Sequence, residues 1–313
     1  MRDSRQSDRR ARTVGRRRSA ANAPTFVSHA SADAVFVAAI DRALRADKLK
    51  TWIDQSDIQV GDLLRDQLLE AIRGSRAVVL VWSKVASKSR WVMAEIFMAY
   101  YLDRFIIPCA LDATPLPQFL GNLVYLYRGR EKRRLLQELG RAVRSAPARA
   151  NVPAAVIIGD TAELQSWTDR VSRAQYEVAD AAGDPKQAFL LNRKVGTDLR
   201  RLQKTAPLHP RVLNLAGYQC KNTYMLKHDP AIQAGRAPKD RLLQQGERHF
   251  FESLCVDPND IEAINGLGNI LFYERELDAA EFFHRAAIDR AKRTCRRYPA
   301  AEHDLALVLR FKQ

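Results

Sequence analysis

The chain has 313 residues, 46% of them hydrophobic and 28% charged, a balance that allows two globular domains and excludes a wholly disordered chain. No apolar run approaches the roughly 18 residues of a membrane span, and residues 1–24 lack the apolar segment of a secretory signal. The net charge is +15, and +6 of it lies in residues 1–24, which hold eight Arg and two Asp. That stretch reads as a solvated, disordered, Arg-rich tail; contact with nucleic acid or an anionic surface ranks below this. Cysteines at 109, 220, 255 and 295 stand apart, without a C-x-x-C pair or a zinc spacing. Reduced thiols, a cytoplasmic location and no metal are the expectation. P-loop, G-x-G-x-x-G, H-E-x-x-H and G-x-S-x-G motifs are absent, which removes the commonest kinase, dinucleotide-fold, zinc-protease and serine-hydrolase readings.

From residue 25 strand and helix signals alternate. Thr25 to Ser28 is a short extended run, followed by helical spacing through Val37, Ile40 and Leu44. Thr51-Trp52-Ile53 is a second strand, and Leu64, Leu68 and Ile72 mark the face of the next helix. Ala77 to Trp82 is unbroken apolar, as a central parallel strand buried on both faces requires. Trp91 to Leu102 is helical. Phe105 to Leu111 is a fourth strand, whose Pro108 points to an edge or an irregularity. Leu123 to Leu126 is a fifth, and Leu135, Leu136, Leu139 and Val143 mark a closing helix. Five strands with interleaved helices in about 120 residues predict an open parallel α/β sheet of flavodoxin-like type. Ligands of such sheets sit beyond the carboxyl ends of the strands, which here brings in Ser28 to Ser31, Asp54 to Gly61 and Ser83 to Arg90.

Residues 146–160 read as a linker with one short extended piece at Val156 to Ile158. Residues 161–313 are almost wholly helical. The clearest unit runs from Pro258 to Ala291. Leu267, Gly268 and Leu271 lie on a first helix; Ala279 or Ala280, Phe283, and Ala286 or Ala287 lie on a second. Small residues at fixed places let antiparallel helices approach, and the aromatic fills the space between hairpins. This resembles a tetratricopeptide (TPR) repeat with a turn one residue short. Leu215 to Tyr218 opens a weaker copy with an insert near 227–239, and residues 163–206 form a third hairpin without repeat residues. At least three hairpins must stack to bury their faces. An ordinary helical bundle is the alternative.

Glu95 is the only charged residue between Trp91 and Leu102, on a helix that is apolar all round. Trp91 lies four residues before it, on the same face. Spacing alone favours a structural carboxylate over a catalytic one. Other segments share the chain order: Phe26 to Asp33, Trp52-Ile53-Asp54, Ile58 with Gly61, Leu69 to Ile72, and Ser89-x-Trp91-x-x-x-Glu95. Together they resemble a Toll/interleukin receptor (TIR) domain over residues 25–145. The resemblance implies an NAD+ glycohydrolase that cleaves the nicotinamide–ribose bond, with Glu95 catalytic and NAD+ as substrate rather than cofactor. It implies Ser89, Trp91, His29 and Ser28 around the substrate. It also implies Asp57, Ile58 and Gly61 in a loop that docks on neighbouring TIR domains.

Each residue also has a plainer role. Ser89 suits a helix N-cap, Trp91 and Phe26 a core, His29 a loop bonded to backbone, and Asp57 to Gly61 a turn with a flexible bend. The basic run Arg128, Arg130, Lys132, Arg133 and Arg134 suits a solvated face. The functional expectation is an NAD-cleaving enzyme of immune defence or host-signalling interference. Its helical half would take an unknown protein or ligand, with no membrane partner. A non-enzymatic TIR/TPR adaptor comes second, and nucleic-acid binding through the tail third.

Overall fold

The computed structural model describes residues 23–53, 63–127, 131–147, 151, 161–233, 236 and 238–313. The expectations placed on the Arg-rich tail, on Asp57, Ile58 and Gly61, on Arg128 and Arg130, and on Val156 to Ile158 lie outside the described residues. The chain divides into two compact units, residues 1–153 and 154–313.

In the first unit, five strands form one parallel sheet: β1 (Thr25–Ser28), β2 (Thr51–Ile53), β3 (Ala77–Trp82), β4 (Ile106–Ala110) and β5 (Leu126–Tyr127). Their order is β2-β1-β3-β4-β5, the flavodoxin-like arrangement. Among the described residues four helices accompany the sheet: α1 (Ala34–Ala46), α2 (Leu63–Gly74), α3 (Arg90–Tyr101) and α4 (Lys132–Ser145). Val27, Val79, Val81, Ile107 and Cys109 pack on Phe36, Val37, Ile40 and Leu44 of α1 and on Leu135, Leu139 and Val143 of α4. Successive strand residues face opposite sides, so Phe26, Val78 and Leu80 fill the other layer, where α3 meets β1 and α2. Each large side chain so buried contributes about 1.5–3 kcal/mol. Burial also pushes the Cys109 thiol up to about 12, so this cysteine is inert core.

Two strand expectations need correction. β4 is not an edge strand, for β5 lies outside it. Pro108 is tolerated there because of ladder geometry. In parallel pairing alternate residues turn their N–H groups to the same neighbour, and Leu111 donates to Trp82 O at 2.8 Å. Pro108 belongs to the other set, with Ile106. On that side β5 begins only opposite Cys109. There the Ile106 N–H goes to Asn151 Oδ1 at 2.9 Å, and Asn151 Nδ2 donates back to Ile106 O at 2.7 Å. A side-chain amide thus stands in for a strand, and among the described residues no strand is paired on the side where the proline lacks its donor. The fifth strand also begins later than expected. Leu123 closes a turn on Leu120 O, and Val124 is 96% exposed.

The second unit is all helical: α5 (Ala162–Asp180), α6 (Pro185–Thr205), α7 (Pro210–Gln233), α8 (Arg241–Val256), α9 (Ile261–Tyr273), α10 (Leu277–Arg293) and α11 (Pro299–Phe311). Asp184, Asp240 and Asp260 cap α6, α8 and α9 by accepting backbone N–H bonds in the first turn. Hairpins α5–α6, α7–α8 and α9–α10 stack in order, and the first helices also meet one another, α5 on α7, α7 on α9 and α9 on α11. The stretch near 227–239 is in part a continuation of α7, which runs through Pro230.

Glycine sets how closely these hairpins sit. A Cβ at Gly217 or at Gly266 would overlap the ring of Phe250, which is fully buried between them. The short turn between α9 and α10 is made by Arg275 in the left-handed region, φ 65°, with Glu276 N–H closing on Leu271 O at 2.9 Å. The architecture is that of stacked helical hairpins.

Candidate active site

In a sheet of this order the chain reverses direction of growth between β1 and β3, and the crevice beyond their carboxyl ends is where ligands bind. Ser28 is the last residue of β1, in register with Leu80 of β3. Ser28 and His29 are 0% and 7% exposed. Among the described residues, Ser28 Oγ and His29 Nδ1 find no hydrogen-bond partner. A buried polar atom left in this way is costly unless water or a ligand satisfies it.

The rim of this crevice is tied together by polar contacts that sequence reasoning missed. Ser83, just after β3, donates from Oγ to Asp33 Oδ2 at 2.7 Å, joining the loop after β1 to the loop after β3. The same Oγ accepts the Ala86 N–H at 3.1 Å, which starts the turn leading to α3. Lys84 N–H donates to Asp112 Oδ2 at 2.9 Å, and Trp82 Nε1 to Pro115 O at 2.9 Å, which tie in the loop after β4. The bonds from Thr114 and from the Lys84 amide hold the Asp112 carboxyl below its ordinary value. The Ser-x-x-Ala turn and the D-A-T run were the available signals, but their partners lie 50 and 28 residues away.

Ser89 has extended backbone and caps α3, accepting the Val92 N–H at 3.4 Å, so its plainer role is realised. Trp91 is half-buried rather than core, and the Arg90 guanidinium lies 5.3 Å from its ring centroid, a cation–π distance. Glu95 follows one turn later and is 1% exposed. Its helix neighbours Val92, Met93, Ala94, Ile96, Phe97 and Met98 are all buried too. Phe97 stacks on Phe119 at 5.1 Å, and Phe26 on Trp52 at 5.0 Å, which fixes the core behind the crevice. Phe26 is core, as expected. α3 meets β1, so Ser28 and His29 at the end of β1 and the Ser89–Glu95 segment belong to the same layer of the domain. Lys132, Arg133 and Arg134 open α4, and Arg134 pairs with Glu138 at 3.1 Å on an exposed face.

Residues 25–146 match the family described as TIR domain. This segment is a TIR domain. Over 104 aligned residues the chain is 31% identical to a protein of Methanobrevibacter olleyae named a probable 2′ cyclic ADP-D-ribose synthase, TcpO. The alignment covers 31% of this chain and 30% of that relative, so the chain matches under a third of the relative's length. Among the described residues no helix is long and apolar enough to cross a membrane, and no group of three or more His, Cys, Asp or Glu is placed to hold a metal ion.

Proposed function

We propose that this TIR domain cleaves the nicotinamide–ribose bond of NAD+, with Glu95 as the catalytic carboxylate. The observation that carries the reading is Glu95 itself, a single carboxylate enclosed in an otherwise apolar helix. Placing a carboxylate on a buried apolar helix costs desolvation, and a carboxylate held there is suited to stabilise positive charge that develops in a dry site. The name of the Methanobrevibacter olleyae relative points to the same class of chemistry.

The step balances simply. The ribose C1′–N bond breaks, and its electron pair leaves with nicotinamide as a neutral ring. Positive charge develops at C1′, and a nearby carboxylate stabilises it, more strongly in a dry site than in water. Water then attacks C1′ and loses a proton, giving ADP-ribose; attack by a hydroxyl of the same molecule gives a cyclic product. Trp91 supplies an aromatic face beside the site. Ser28 and His29 supply hydroxyl and imidazole groups for the ribose hydroxyls, which would satisfy the atoms left unpaired at the end of β1. Ser89 sets where α3 begins.

At 1% exposure Glu95 meets no substrate until its surroundings part. Association with other TIR domains, driven by a protein or ligand on the helical unit, is the event we propose for this, in immune defence or host-signalling interference. The same low exposure favours one other reading, a docking module in which Glu95 is only structural. The test is nicotinamide release by the full chain, crowded on beads, beside Glu95→Ala. We expect turnover in the parent and a loss of about 100-fold or more in the variant. Equal turnover in both removes Glu95 from catalysis, and no turnover in either favours the docking module.

A further inference from the structure

The helical unit has a cleft of its own, on the side where the first helices of successive hairpins meet. Its volume is about 190 Å³, and α5, α7, α9 and the start of α11 all contribute to its walls. This is smaller than the usual 300–1,000 Å³ of a drug-sized site, so it suits one ring system rather than an extended peptide.

The lining combines aromatic rings with both kinds of hydrogen-bonding group. Tyr176 and Tyr218 stand on α5 and α7, and Tyr298 immediately precedes α11. Asn265 Nδ2 and Asn269 Nδ2 both donate to Asp304 Oδ2, at 2.8 and 3.1 Å, and Asn265 Oδ1 meets His284 Nδ1 at 2.8 Å behind them. This network fixes the Asp304 carboxylate at the cleft wall. Tyr218 Oη donates to Glu262 O at 2.9 Å, which fixes one of the rings. Lys221 is different. Its ammonium lies 5.3 Å from the Tyr218 ring centroid and makes no hydrogen bond or ion pair among the described residues. It feels the field of Asp304 without touching it, while burial lowers its pKa. The Asn222 side chain also lines the cleft and makes no hydrogen bond among the described residues.

Charge narrows the ligand. The cleft presents one cation, Lys221, against two carboxylates, Glu262 and Asp304. A phosphate or a peptide C-terminus would meet net repulsion, and a simple cation would meet Lys221. A neutral planar ring with donors on one edge and acceptors on another suits all three groups. Such a ring can give its N–H to a carboxylate, accept from Lys221 or an Asn amide, and lie against tyrosine. Those are the contacts by which proteins read bases. We propose that this cleft binds a nucleobase-bearing small molecule, with Lys221 and Asp304 reading the two edges of the base.

The proposal does not rest on the chemistry assigned to Glu95, and its test uses probes without a nicotinamide–ribose bond. The full chain is titrated calorimetrically with adenosine, guanosine, cytidine and uridine. Saturable binding of at least one nucleoside below about 1 mM is expected. It should weaken about tenfold in Lys221→Met and again in Asp304→Asn, which keeps the shape of the side chain, and stay unchanged in Glu95→Ala. The proposal is overturned if none of the four nucleosides binds. Binding that both cleft variants retain, or that only an acidic peptide shows, overturns it equally.

Discussion

The two units place buried polar groups by different means. In the TIR domain they gather where strands end. Ser28 ends β1 and Ser83 follows β3, and a parallel sheet stacks such carboxyl ends at one edge, while α3 adds Glu95 from the side. In the helical unit they come from helix faces four residues apart, as with Asn265 and Asn269, and meet Asp304 only because a later helix stacks on them. A strand-end site is made by topology, and a stacked-helix site is made by packing. The second kind should therefore be far more sensitive to a lost core side chain.

The largest effect that sharpens this contrast is at Phe250, the ring between Gly217 and Gly266. Phe250→Ala should cost about 3–5 kcal/mol in urea unfolding and abolish nucleoside binding at the cleft. A variant that loses stability and still binds would uncouple packing from site.

His284 gives the next effect. Burial, with Lys221 adding to it, pulls its imidazole down to about 4 from 6.5, although Asp304 acts the other way. The folded state keeps it neutral where the unfolded chain takes a proton. Its contribution is thus full above about pH 6.5 and is lost as pH falls towards 4, about 3 kcal/mol in all. The stability difference between the parent and His284→Gln should shift by this amount in the parent's disfavour between pH 7 and 4. A difference that stays flat with pH would contradict it.

The smallest is at the strand-end site. Ser89→Ala removes a cap bond of 3.4 Å and should cost about 1 kcal/mol or less, with less than tenfold change in NAD+ turnover. A loss as large as that of Glu95→Ala would put the Ser89 hydroxyl on the substrate instead.

Much of the α/β unit was legible because its signals are local. The apolar run Ala77–Trp82 is a buried central strand, and the sheet order follows from strand–helix alternation. Ser89 as a cap and Glu95 as a lone charge could be read from a dozen residues. The rim bonds from Asp33 to Ser83 and from Lys84 to Asp112 could not, because nothing in either segment names its partner. Pro108 misled for the same reason: its tolerance depends on where β5 begins and on Asn151, about forty residues on in sequence. In the helical unit the small and aromatic positions Gly268, Ala280 and Phe283 were readable as repeat spacing. The cleft was not, since its residues run from Ser172 to Asp304 and share no local pattern.

We propose that one buried carboxylate makes this TIR domain an enzyme. Chromatography of nicotinamide released from NAD+ by the clustered full chain, with Glu95→Ala beside it, tests this most directly. Steady release by the parent and at least about a hundredfold less by the variant are expected. Release at the same rate from both proteins would contradict it.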